Sequence, residues 1–292
     1  MDVAAIVERL WPGVPARVEV LGGGITNHNF RVRLDGGGDY VVRVSGHDTE
    51  LLGIDRAAEH VASLVAASVG VGPTVVAFVL PERCLVTRFI EGTIVPIESM
   101  REPATVRRVA QSLRAVHTGP PIPARFDSFR VVEDYRATAQ ERGVEIPANY
   151  EAARKIAGRI ERARGTTPER PCHNDLLNAN FIDDGARVRI VDWEYAGMGD
   201  IFFDLANLAV NHELDEAAEA GLLTAYFGRE SERNRDALVL MRFMSDFREA
   251  MWGVLQQGVS DLDFDFEGYA REHFARAAAT ADSDRFRAAL SS

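Results

Sequence analysis

The amino-terminal third of the chain has the period-two pattern of β-strands. Positions 30–34 alternate between apolar residues and arginine, which is typical of a half-buried strand. A Gly- and Asp-rich turn at 35–39 separates this strand from a returning apolar strand over 40–44. A helical pattern over 49–68 follows, and then a second pair of strands is predicted over 75–80 and 84–90.

The rest of the chain is mainly helical. Apolar residues recur at helical spacing over 103–117 and 150–164, and again from 204 to the end with breaks near 228 and 258–266. Loops and short strands occupy 172–191. We therefore predict an α+β fold with two lobes, a small β-rich lobe over 1–92 and a larger α-rich lobe over 93–292. A cleft between two lobes is a common ligand site.

Composition and charge exclude several classes of protein. With 46% hydrophobic and 26% charged residues, the 292-residue chain has the composition of a globular protein rather than a disordered one. The net charge of −11 predicts neither a nucleic-acid nor a membrane partner, and no apolar run approaches a membrane span. Cys84 and Cys172 stand far apart, so we expect no disulfide or zinc framework and a cytoplasmic location. The oligomeric state is open between monomer and homodimer.

Cys172–Phe181 contains the strongest chemical motif, with His173, Asp175 and Asn180 in the spacing HxDxxxxN. Asp192 follows a short apolar strand some ten residues later. Phosphoryl transfer from ATP needs a carboxylate that orients and deprotonates the attacking hydroxyl, together with oxygen ligands for Mg²⁺. Each residue alone could be a turn former or a cap, but the joint spacing favours a phosphotransferase.

The segments HNDLLNANFI and IVDWEYAGMGDIFFDLAN resemble the choline/ethanolamine kinase branch of the aminoglycoside phosphotransferase-like, protein-kinase-like fold. The resemblance runs through nearly the whole chain and implies that Asp175 is the catalytic base. It also implies that Asn180 and Asp192 hold Mg²⁺ and that His173 braces the loop. Asp204 resembles the buried acid that anchors the catalytic loop, although it could equally be a helix N-cap.

The Gly-rich segment Gly22-Gly23-Gly24 is predicted to cover the ATP phosphates, with Asn27 just after it. A strand pattern follows this segment, whereas a Rossmann or Walker motif requires a helix. In the resemblance, the next strand carries a phosphate-pairing cation, and that position is Arg43. Its predicted ion-pair partner is Glu59. The only lysine in the chain, Lys155, lies elsewhere.

Two further sets of residues follow from the resemblance. The main chains of Arg88 and Ile90 are expected to meet the adenine of ATP. Tyr195, Trp252 and Tyr269 are expected to surround the cationic group of the acceptor, beside Asp175, because aromatic faces bind ammonium groups. Trp252 and Tyr269 could instead be packing residues.

Two positions depart from the eukaryotic choline kinases. Glu249 stands where those enzymes have a second tryptophan, and Asn211 stands where they have an acid, although Glu213 is close by. A pocket with fewer aromatic and more acidic groups could suit ethanolamine or a larger polyhydroxylated amine.

The leading hypothesis is an ATP- and Mg²⁺-dependent kinase of a small amino alcohol, most simply choline. The alternative acceptors are ethanolamine, a thiamine-like compound or an aminoglycoside, for which the acidic segment 261–267 could serve. A catalytically silent nucleotide-binding scaffold is a third possibility, but it would have no need for Asp175, Asn180 and Asp192 together.

Overall fold

A five-stranded antiparallel sheet forms the amino-terminal part of the protein. The computed structural model describes residues 3–22, 27–46 and 48–291. The strands run in the spatial order β1-β2-β3-β5-β4, where the labels denote β1 (Ala16–Leu21), β2 (Asn27–Leu34), β3 (Asp39–Ser45), β4 (Val75–Val79) and β5 (Cys84–Arg88). The predicted strands are thus present, each trimmed or extended by a few residues. Arg43, in β3, lies opposite Asn29 of β2 and Leu85 of β5.

Two helices accompany this sheet. The sequence pattern did not predict α1 (Val3–Leu10), whose buried residues Ile6 and Val7 pack against the sheet. The helix predicted over 49–68 is shorter than expected, because a 3₁₀ turn over Thr49–Leu52 ends at Gly53 in the left-handed conformation. After that break α2 (Arg56–Ser68) begins, capped by Asp55, whose side chain accepts hydrogen bonds from two backbone N–H groups of the first turn.

The remainder of the chain is mainly helical, which confirms the predicted α+β class. The predicted helices over 103–117 and 150–164 are found, and a helix over 128–141 was not predicted. The helices are α3 (Pro103–His117), α4 (Ser128–Glu141), α5 (Tyr150–Arg164), α6 (Ile201–Asn211), α7 (Glu216–Phe227), α8 (Glu232–Val259), α9 (Phe266–Asp282) and α10 (Asp284–Ala289). The long helix α8 packs against α4, α6 and α9, so it is buried on several sides.

Short strands between α5 and α6 position the chemical motifs. They are β7 (Arg170–Cys172), β8 (Phe181–Asp183), β9 (Val188–Ile190) and β10 (Gly197–Gly199), and β6 (Thr93–Ile94) joins β8. Strands β8 and β9 pair, as do β7 and β10, so the loops 173–180 and 191–196 are held side by side. Gly197 permits β10 to lie close to the segment before α4, because a Cβ there would lie 2.7 Å from the backbone nitrogen of Phe126.

Two hydrophobic clusters stabilise the fold. The smaller one joins α1 to one face of the sheet, and the larger one fills the helical part. Ala62 and Ala66 of α2 belong to the larger cluster, so α2 links the two parts. The lobe boundary at 92/93 stays a prediction. Strand β6 begins just after it, at Thr93, and pairs with β8 of the helical part. None of the described helices combines the length and apolar composition needed to cross a membrane.

Candidate active site

The loop 173–180 is anchored by a buried carboxylate from α6. Asp204 accepts hydrogen bonds from the backbone N–H groups of His173 (2.8 Å) and Asn174 (2.7 Å). Asn174 adopts a φ of 67°, which turns the chain at this point. Asp204 also accepts from the ring of His117 at 2.9 Å. The alternative that Asp204 caps a helix is wrong, because the N-cap of α6 is Asp200.

The electrostatics of Asp204 follow from this hydrogen bonding. Burial alone would raise the pKa of its carboxyl group, but His117 and His173, including the backbone N–H of His173, lower that pKa below its ordinary value. Asp204 is therefore an ionised, fully buried group whose charge is balanced by oriented N–H donors.

His173 braces the loop from within. One ring nitrogen contacts the carbonyl oxygen of Val191 at 2.9 Å, and the other accepts the backbone N–H of Asp175 at 3.2 Å. Burial lowers the pKa of His173, which favours the neutral imidazole. The ring also packs edge-on against Trp193. His173 thus ties the loop that carries Asp175 to the loop that carries Asp192.

The three oxygen-bearing residues of the motif converge. Asn180 donates its amide N–H to the backbone oxygen of Asp175 at 2.9 Å, and its own backbone oxygen accepts from Val191 at 3.0 Å. Asp192 comes next in the chain, at a φ of 70°. Burial raises the pKa of Asp175 well above its ordinary value; the guanidinium of Arg248 opposes this, and the nearby Glu249 and Asp192 reinforce it.

Arg43 connects the sheet to this site. It bonds Glu59 of α2 at 3.0 Å, the partner predicted from sequence, and it also bonds Asp192. Burial would lower the pKa of Arg43, but these two carboxylates raise it above its ordinary value. The guanidinium therefore stays charged and lies between α2 and the end of β9.

Behind Arg43 lies a second buried ion pair. Arg56 bonds Glu59 at 2.7 Å and Glu194 at 3.0 Å, and Asn27 donates to Glu194 at 2.9 Å. Asn27 is predicted from sequence to lie at the nucleotide phosphates. In the structure its side chain bonds Glu194, which follows Asp192 by two residues.

A cavity of about 310 Å³ opens between the sheet and β9. Its lining includes the predicted cofactor-binding residues Gly22, Arg43, Arg88 and Ile90, as well as Asp192. Gly23 and Gly24 lie outside the described residues. The backbone N–H of Arg88 donates to Thr74 within the sheet and is therefore engaged.

The three predicted acceptor-binding aromatic residues lie together. The indole N–H of Trp252 donates to the hydroxyl of Tyr195 at 3.0 Å, and the rings of Trp252 and Tyr269 are 5.7 Å apart in an edge-to-face arrangement. Glu213 is exposed and pairs with Arg101, so it does not replace the acid missing at 211. Asn211 instead donates to the backbone oxygen of Leu176 at 3.3 Å.

Sequence reasoning missed Arg248, which is 1% exposed. Its guanidinium lies 4.5 Å from the centre of the Tyr195 ring and 3.6 Å from the carboxylate of Asp175, and it bonds Glu249 at 2.7 Å. Glu249 in turn accepts from the hydroxyl of Tyr269 at 2.9 Å. The available signal was an Arg-Glu pair one helical turn before Trp252, inside an otherwise apolar stretch of α8.

The five-stranded sheet, followed by a helical part that carries the loop 173–180, has the arrangement of the protein-kinase-like fold. The sequence profile of the phosphotransferase enzyme family matches residues 17–238. A crystal structure of a choline/ethanolamine kinase family protein from Mesorhizobium loti is 32% identical, with a TM-score of 0.85, over 99% of this chain and 97% of the other. The protein therefore belongs to the phosphotransferase enzyme family, in its choline/ethanolamine kinase branch.

Two further relatives support the same placement. Ethanolamine kinase 2 from Rattus norvegicus is 28% identical over 79% of this chain, and the match spans 66% of the rat protein, just under two thirds of its length. The choline kinase LicA from Streptococcus pneumoniae shares the fold, with a TM-score of 0.80 at 24% identity over 95% of this chain and 96% of the other.

Proposed function

We propose that the protein transfers the γ-phosphate of ATP to the hydroxyl group of a small amino alcohol. The observation that carries this proposal is the convergence of Asp175, Asn180 and Asp192 beside a cavity that Arg43 also lines. Kinases need little covalent chemistry from the protein, so positioning and charge are the features that matter.

Asp175 would act as the base in this reaction. Its carboxylate accepts the proton of the acceptor hydroxyl while the acceptor oxygen forms a bond to the γ-phosphorus and the bond from that phosphorus to the β-phosphate oxygen breaks, releasing ADP. The raised pKa of Asp175 suits a group that must take up a proton near neutral pH.

Asp192 and Asn180 fit a magnesium ion. Both offer the hard oxygen atoms that Mg²⁺ prefers, and the amide nitrogen of Asn180 is already held by Asp175, which leaves its oxygen for a cation. An ion held by these two residues would supply positive charge to offset the charge that develops on the phosphate oxygens. Arg43, which bonds Asp192 and lines the same cavity, would pair with the phosphates.

Choline is the acceptor predicted from sequence, and the clustering of Tyr195, Trp252 and Tyr269 supports an ammonium-binding pocket. Ethanolamine is the second candidate, favoured by the buried carboxylate of Glu249 next to these rings. The test is ADP formation from ATP with choline, ethanolamine, thiamine or an aminoglycoside as acceptor, against buffer alone. ADP formation no faster with any acceptor than with buffer would refute the proposal.

Replacing Arg43 by alanine is expected to raise the KM for ATP by about 10-fold or more, because a charge-assisted contact to phosphate is lost. The KM for ATP of Arg43→Lys should lie between the values for Arg43→Ala and the wild type, since lysine keeps the charge but not the planar fork. Arg33→Ala is the matched control: Arg33 lies on the same sheet and pairs with Glu19 and Asp39. An unchanged KM for ATP in Arg43→Ala would show that Arg43 serves only the fold.

Trp252→Ala is expected to raise the KM for choline by about 2- to 30-fold, the range of one cation–π contact, while the KM for ATP changes less. The indole is 8% exposed and bonds Tyr195, so a folding defect must be separated from a binding defect. Steady-state kinetics with each substrate varied in turn makes that separation. Equal increases in both KM values would indicate that Trp252 is a packing residue.

A further inference from the structure

Arg248 and Glu249 form a buried charged pair inside the region proposed for the acceptor. Both lie on α8, shortly after the buried Asp246 that pairs with His273, and they are 1% and 3% exposed. Burying two charges is costly unless their contacts repay it, so a pair retained at this depth calls for an explanation.

The hydrogen bonds of Arg248 are incomplete. One terminal nitrogen, Nη1, bonds Glu249 at 2.7 Å and lies 3.6 Å from Asp175. The other terminal nitrogen, Nη2, and Nε are buried without a hydrogen-bond partner among the described residues. Buried donors without acceptors are expensive, and a ligand oxygen would satisfy them. A ligand oxygen beside the guanidinium would therefore be stabilised by these two nitrogens.

Glu249 offers the complementary group. Burial would raise the pKa of its carboxyl group, but Arg248, His273 and the hydroxyl of Tyr269 bring that pKa below its ordinary value, so the group is ionised. The carboxylate of Glu249 is thus a charged hydrogen-bond acceptor that lies between Arg248 and the hydroxyl of Tyr269.

The two carboxylates lie close enough together for one short ligand to reach both. Oδ1 of Asp175 and Oε1 of Glu249 lie 3.6 and 2.7 Å from the same atom, Nη1 of Arg248. A two-carbon amino alcohol places its nitrogen and oxygen about 3–4 Å apart, given ordinary bond lengths. Its hydroxyl could donate to Asp175 and accept from Arg248 while its ammonium group donates to Glu249.

We propose that Glu249 binds the ammonium group of the acceptor through an N–H···O hydrogen bond, and that the site therefore prefers two-carbon amino alcohols whose nitrogen carries at least one hydrogen. This inference rests on the proposed function. Tyr269, half-buried and bonded to Glu249, and Trp252 beside it supply aromatic faces to the same nitrogen. A quaternary nitrogen would use those faces but could not donate to Glu249.

The test is a methylation series: ethanolamine, N-methylethanolamine, N,N-dimethylethanolamine and choline, measured as kcat/KM with saturating Mg·ATP. The largest fall is expected at the last step, where the final N–H is lost, and should be about 10-fold or more, as for a hydrogen bond to a charged group. Glu249→Gln should lower kcat/KM about 10-fold for the first three acceptors and change the value for choline by less than about 3-fold. Glu272→Gln, exposed on α9, is the matched control.

The outcomes are distinguishable. Choline used as well as dimethylethanolamine by the wild type would overturn the role of Glu249 while leaving the kinase proposal intact, as would an equal loss for all four acceptors in Glu249→Gln. Transfer to none of the four would overturn both proposals. If Glu249→Gln does not fold, the wild-type series alone decides, because it needs no variant.

Discussion

Asp175→Asn is expected to lower kcat by at least about 100-fold, the usual contribution of a positioned general base. Asparagine keeps the size and polarity of the side chain but cannot take up the proton of the acceptor hydroxyl. The KM for ATP should change little, because Asp175 does not line the cavity that Arg43 and Asp192 border. Coupled measurement of ADP formation with the best acceptor gives both parameters.

Stability should be preserved in this variant. The pKa of Asp175 is raised in the folded state, so its ionised form costs stability near neutral pH, and an uncharged isostere removes that cost. We expect the Tm to stay within about 3 °C of the wild type or to rise slightly. Asp282→Asn, the same change at an exposed position, controls for the chemistry of the substitution. Retention of more than about a tenth of wild-type kcat in Asp175→Asn would exclude Asp175 as the base.

The motif HxDxxxxN could be predicted from sequence because its chemistry lies within one loop. Asp175 and Asn180 are close in the chain, and their contact needs only a single turn. Asp192 needed one more inference, that a short apolar strand ends just before it, and the structure contains that strand as β9, paired with β8. Contiguous patterns of this kind depend on local geometry, which can be predicted from residues that are neighbours in the sequence.

Arg248 and Glu249 could not be assigned in the same way. A charged pair in a helix usually faces solvent, and only the packing of α8 against α4, α6 and α9 shows that this pair is buried. Arg248 was missed as a site residue because it contacts Asp175, which lies more than 70 residues away in the chain. Such a contact results from tertiary packing and cannot be predicted from helical periodicity.

The helices that were missed have a similar explanation. The buried face of α4 consists of Ser128, Val132, Tyr135 and Ala139, a thin stripe between charged residues. The burial of α1 depends on the sheet it covers, and with eight residues it is too short for its periodicity to stand out. The apolar signal was weak in α4 and short in α1, and contacts with distant parts of the chain stabilise both helices.

Asp204→Asn is expected to reduce stability and activity together. The wild-type carboxylate accepts from His117 and from two backbone N–H groups of the catalytic loop, whereas an asparagine would present an N–H to donors on one side. Disrupting a buried charged network of this kind costs about 3 kcal/mol, which corresponds to a fall in Tm of about 10 °C. The loop that holds Asp175 would lose its anchor, so kcat should fall at temperatures where the variant remains folded.

The control for Asp204 is on the same helix. Asp200 caps α6 by accepting from Phe202 at 2.9 Å and also bonds Arg164, so Asp200→Asn keeps a capping residue and should cost less than about 1 kcal/mol. The pH dependence separates the two sites further. Because the pKa of Asp204 is lowered in the folded state, its stabilising contribution is present above the unfolded pKa of about 3.9 and is lost as the pH falls through the lower folded value. The Tm difference between wild type and Asp204→Asn should therefore shrink below about pH 4, and a difference that is independent of pH would mean that the ionised carboxylate is not what anchors the loop.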